Sequence, residues 1–106
     1  MSIQLTKKAD ALIGIIYKRY LERTKNGESE STSRDFESDF YNKTSDLYIW
    51  SEDDYDVRFV ELANNELIKV YIGGEFRITD KGLIYMENHF KNGIKDVIDL
   101  ISKLIP

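Results

Sequence analysis

The chain has no cysteine, which excludes a disulfide framework and a thiolate metal site and makes a reducing cytoplasm the simplest setting. Its one histidine, His89, has no second imidazole or thiolate with which to complete a transition-metal site, and it suits the closing turn of a helix instead. Long apolar runs are missing too. The short run in the opening stretch MSIQLTKKADALIGIIYKRY is interrupted by Lys18 and Arg19 and lacks a small-residue cleavage site. That stretch therefore reads as neither signal peptide nor membrane span.

The usual sequence marks of chemistry are equally scarce. Asp53, Asp54 and Asp56 lie close together, but the spacing and the distal glutamate of a calcium loop are absent, and the segment fits a helix better. Gly73-Gly74 is not followed by a Lys-Ser/Thr leading into a helix, so it marks a hairpin turn and no phosphate cradle. No nucleophile can be paired with a base. The expectation is a protein that is not an enzyme, with no cofactor and no metal.

Positive charge is scarce in one region only. Residues 28 to 61 hold eleven acids against Arg34, Lys43 and Arg58, a net of -8, so with a total of -4 the flanks carry +4. Such asymmetry marks either a surface for a basic partner or a solvated acidic flank.

At 106 residues the chain is expected to form one domain, residues 1 to 106, burying roughly two-thirds of its unfolded surface. Thr6 is a suitable N-cap for a helix over 6 to 23, where Leu5, Ala9, Leu12, Ile13, Ile16 and Tyr20 recur at helical spacing. Ala11, Gly14, Tyr17 and Leu21 make its other side small or apolar, so that helix should be covered from two sides. Residues 24 to 33 read as a mobile loop. A Thr32/Asp35 capping box then opens a helix over 34 to 43 with Phe36 and Phe40 inward. LYIW, residues 47 to 50, is a brief β-prone run whose Tyr48 and Trp50 should be buried.

Ser51 caps a helix over 51 to 65, with Glu52, Asp53 and Asp54 at the positive end of its dipole. Its buried stripe is Tyr55, Phe59, Leu62 and Ala63, which leaves Asp53, Asp54, Val57, Glu61 and Asn64 outward. Asn64-Asn65 should stop the helix through a left-handed residue. LIKVYI and EFRIT flank Gly73-Gly74 and predict a hairpin over 67 to 78 with a two-residue turn. Helices then fill 79 to 105, the first capped by Thr79 and the last an amphipathic stripe that includes Ile94, Ile98, Ile101 and Ile105. Leu12, Ile13, Ile16, Phe59, Leu62, Leu83 and Phe90 are the expected core.

Helices, a short two-stranded wing and closing helices make a mostly helical α+β chain whose order resembles the winged helix-turn-helix fold. Ile78-Thr79-Asp80-Lys81-Gly82, followed by Tyr85-Met86-Glu87-Asn88, looks like the signature that follows the wing in many such regulators. Among small families the chain is most similar to the YjcQ-like winged-helix proteins of bacteria and their prophages, over residues 7 to 23 and about 49 to 105. It departs from them in 24 to 47. The resemblance implies a fold and a regulatory, prophage-related setting, and no activity.

Two functions follow. In the first, a dimeric DNA-binding regulator uses the helix at 51 to 65 and the wing, with Lys69, Arg77 and Lys81 meeting phosphates. Acidic side chains on that helix oppose the counterion release on which duplex affinity depends. In the second, preferred reading the domain is an interaction module that binds a protein partner through its acidic helices at 34 to 43 and 51 to 65 or through its C-terminal helix. A homodimer through Ile94, Ile98, Ile101 and Ile105, packed beside the first helix, is expected in either case.

Overall fold

The computed structural model describes residues 3–89 together with Lys95, Ile98, Asp99 and Ser102. Over these residues the chain is mostly helical with a small three-stranded antiparallel sheet. The first helix, α1, spans Lys7–Lys25, and its N-cap Thr6 accepts from the Ala9 amide. Ala9, every residue from 11 to 17, and Tyr20 are buried, so α1 is covered on both sides as its apolar pattern requires. It packs against α2 (Glu30–Ser33), the 3-10 turn Ser45–Ile49, α4 (Glu52–Asn64) and α5 (Asp80–His89).

The acidic segment departs most from expectation. The stretch read as a mobile loop contains the helical turn α2, capped by Ser29, whose side chain accepts from the Thr32 amide. Thr32 is therefore not a cap. The helix expected over 34 to 43 is replaced by the strand β1 (Asp35–Phe36), and only α3 (Phe40–Lys43) is helical there. The reason is pairing between distant segments. The Ile78 amide donates to the Arg34 carbonyl at 3.1 Å, and Phe36 stacks on Phe76 at 5.1 Å between centroids. A single helical turn cannot match a strand pairing that also buries an aromatic ring. LYIW is likewise not a strand but the end of the 3-10 turn, with Leu47 and Trp50 buried and Tyr48 57 % exposed.

The hairpin joins β2 (Ile68–Val70) to β3 (Phe76–Ile78), and β1 pairs with the other side of β3, giving the order β1-β3-β2. The wing expected as two strands is thus part of a three-stranded sheet. Its turn is longer than predicted: Tyr71 N donates to Glu75 O, Gly74 N donates to Tyr71 O, and Gly74 takes φ +91°. This is a three-residue loop closed by a glycine bulge. Inner-face residues Phe36, Phe76, Ile68 and Ile78 are buried. A chain of rings then runs from Phe76 through Phe59 (5.0 Å), Tyr55 (5.7 Å) and Tyr41 (5.1 Å) to Tyr48 (5.6 Å).

The expected core is largely present. Leu12, Ile13, Ile16 and Leu62 are fully buried, while Phe59 and Leu83 are partly buried against them; Phe90 lies outside the described residues. The signature at 78 to 82 owes its composition to packing. Thr79 caps α5 by accepting from the Gly82 amide at 3.0 Å and donates to the Glu66 carbonyl at 2.7 Å. A Cβ on Gly82 would lie 2.3 Å from the Leu67 carbonyl oxygen. Only glycine lets α5 approach β2 so closely.

Candidate functional site

The helix expected over 51 to 65 forms as α4, with the Ser51 side chain accepting from the Asp54 amide at 3.2 Å. Its stop differs by one residue from expectation. Asn65 keeps a negative φ, and Glu66 takes the left-handed position at φ 61°. Glu66 N donates to Ala63 O and Leu67 N to Leu62 O, both at 3.0 Å. Those two bonds are a Schellman closure, and the buried pair Leu62 and Leu67 seals it, which fixes where α4 ends and β2 begins.

One long side of α4 is used up internally. Tyr55 and Leu62 are buried, and Arg58, Phe59 and Ala63 are partly buried. Burial, then the nearby charges of Asp56 and Glu52, pushes the Tyr55 hydroxyl well above the ordinary tyrosine range. Glu61, expected outward, belongs to this side: it accepts from Thr6 N and from Thr6 Oγ1, each at 2.9 Å, and from Arg58 Nη1 at 2.9 Å. Arg58 Nη1 also donates to Thr6 Oγ1 at 3.0 Å. The cause is a long-range partner, since Glu61 completes the start of α1, where unpaired amides favour a carboxylate.

The opposite side is open. Asp53, Val57 and Asn64 are exposed as expected, and Asp54 is exposed with Lys8 Nζ 4.0 Å away. Val60 completes the face, 54 % exposed beside Val57 at 53 %. The sequence reading omitted it, although three residues after Val57 and seven after Asp53 place it at the centre of the outward arc. The corrected face is two valines flanked by Asp53, Asp56 and Asn64. It carries no lysine or arginine.

Of the cations considered as phosphate contacts, Lys69 and Lys81 lie together and Arg77 does not join them. Arg77 Nη1 is paired with Asp35 at 2.8 Å on the outer sheet surface. Lys69 is exposed, its ammonium 5.4 Å above the Tyr71 ring, and Lys81 is exposed at the start of α5. Lys69 and Lys81 share a groove with Ala63, Glu66, Ile68, Val70, Thr79 and Asp80, and Arg34 neutralises Asp80 at 2.7 Å.

A wider depression of about 990 Å³ lies between the end of α1, the acidic segment and the hairpin. Its cations are also committed. Lys43 contacts Glu37 and Asp39, each at 3.0 Å, while Arg23 donates to the Asp35 carbonyl at 2.6 Å and lies 4.6 Å from the Phe36 centroid. His89 is exposed, stacks on Tyr85 at 4.1 Å, and has Nδ1 2.8 Å from the Tyr85 carbonyl, a distance at which it acts as donor. Among the described residues no three His, Cys, Asp or Glu side chains are grouped to hold a metal ion, and no helix is long and apolar enough to cross a membrane.

Of the candidate dimer face only Ile98 is described; it is helical and 46 % exposed. Ile94, Ile101 and Ile105 lie outside the described residues. No family model, no curated protein and no solved structure matches the chain.

Proposed function

We propose that the chain is a non-enzymatic winged-helix regulatory or interaction module, prophage-related, that acts through protein contacts made by α4. The order of helices, hairpin and closing helix supports the winged-helix reading, with α4 in the place of the helix before the wing. One observation carries the choice of partner: the outward face of α4 exposes Val57 and Val60 by more than half and holds no cation. Exposed branched apolar side chains favour association with another protein surface. Duplex affinity needs cations that release counterions, and here Arg58 is turned inward and Arg77 is paired. The alternative, a dimeric DNA-binding regulator, retains only Lys69 and Lys81 of its three expected phosphate contacts as exposed, unpaired cations among the described residues.

Affinity capture from a native-host lysate treated with nuclease tests the reading. The tagged chain should retain the same proteins with and without nuclease, and Val57→Asp with Val60→Asp should release them while circular dichroism stays unchanged. Loss of every captured protein on nuclease treatment would favour DNA.

A further inference from the structure

The outward face of α4 continues onto the hairpin. Val70 lines a groove with Ala63, which is one turn beyond Val60. Val57, Val60 and Val70 are all exposed, so an apolar strip crosses the elbow between α4 and β2.

The two ends of this strip carry opposite charge. At the start of α4, Glu52, Asp53 and Asp56 are exposed. At the far end Lys69 and Lys81 are exposed, with Glu66 beside them and Asp80 held by Arg34. From Asp53 to Asn64 the helix rises about 16 Å, eleven residues at about 1.5 Å each, and Val57 and Val60 lie between. A surface that is apolar at its centre, negative at one end and positive at the other is complementary to itself when turned by 180°. Self-complementarity about a two-fold axis is what an isologous interface requires.

We propose that a second copy of this chain docks on the α4 and hairpin surface about a two-fold axis. Val57 and Val60 meet their equivalents near the axis, and the acidic start of each α4 faces Lys69 and Lys81 of the other copy. The proposal rests on the reading of α4 as a contact face and names its occupant. It also moves the expected dimer contact away from the stripe that includes Ile98.

Sedimentation velocity on the full chain at about 100 µM, a concentration that populates complexes of micromolar affinity, tests it with two charge reversals. Asp53→Lys with Asp56→Lys makes both ends positive, and Lys69→Glu with Lys81→Glu makes both negative. All four side chains are exposed, and circular dichroism checks that each variant is folded. The wild type should be dimeric, each variant alone monomeric, and an equal mixture of the two variants a heterodimer, while Ile98→Lys leaves the wild-type mass unchanged. A monomeric wild type, a dimer indifferent to both reversals, or a mixture that stays monomeric would overturn the proposal. If the wild type is monomeric but Val57→Asp with Val60→Asp still abolishes capture of host proteins, only the dimer fails and the contact-face reading stands.

Discussion

The two long sides of α4 behave in opposite ways. On the inner side Arg58 and Glu61 are charged, yet both are spent on Thr6 and on each other. On the outer side Val57 and Val60 are apolar, yet both face solvent. Counting charges along the helix therefore misjudges its surface. What decides the chemistry of a face is which side chains already have partners, and here one partner, Thr6 at the start of α1, is far away in sequence.

The strongest way to break this arrangement is at the junction that orients α4 against the sheet. Gly82→Ala would press a methyl group against the Leu67 carbonyl, a backbone atom that cannot move aside cheaply. We expect a loss of about 3 kcal/mol in urea unfolding, at the upper end of overpacking effects. An unchanged midpoint would mean that α5 shifts freely and that α4 is not held by this lock.

A smaller effect separates the two sides directly. Glu61→Ala removes the acceptor for the Thr6 amide and hydroxyl and leaves Arg58 without its carboxylate, which should cost about 2 kcal/mol. Asp53→Ala, on the open side, should cost under about 0.5 kcal/mol. Equal losses for the pair would erase the distinction between inner and outer sides.

Tyr55 gives the inner side a pH signature. Its native pKa is raised, first by burial and then by Asp56 and Glu52. The stability it contributes is thus fully present below the ordinary tyrosine value of about 10 and is lost as pH climbs toward the native value. Urea midpoints should fall as pH is raised above about 10, and Tyr55→Phe should flatten that fall. Parallel curves for the two proteins would assign the alkaline sensitivity to other groups, Tyr85 among them, whose pKa is also raised by burial and by its hydrogen bond to Asp10.

One substitution is expected to give a gain. Glu66 holds a left-handed φ of 61° at the end of α4, where glycine carries no steric penalty. Glu66→Gly should raise stability by about 0.5–1 kcal/mol.

How far the sequence could be read follows from the range of the interactions. Thr6, Ser51 and Thr79 were legible as caps because their partners are three residues away, and α1, α4 and α5 follow from them with their apolar periods. The hairpin was legible from Gly73-Gly74, although the loop is one residue longer than a two-residue turn. The strand β1 was hidden because its partner Arg77 is 42 residues from Asp35. Glu61 was placed on the wrong side because Thr6 is 55 residues away. Val60 needed no distant partner to be found. Helical spacing from Asp53 and Val57 already put it at the centre of the open face.

The central claim is that this open face does not engage duplex DNA. Fluorescence anisotropy of a labelled random-sequence duplex titrated with the wild-type chain, at about 0.15 M salt where phosphate contacts by a few cations are weak, tests it most directly. We expect no saturable binding below roughly 10 µM, the range that ordinary non-specific binders reach. Saturation at nanomolar protein that survives competitor DNA would contradict it and return α4 and the hairpin to the role of a DNA reader.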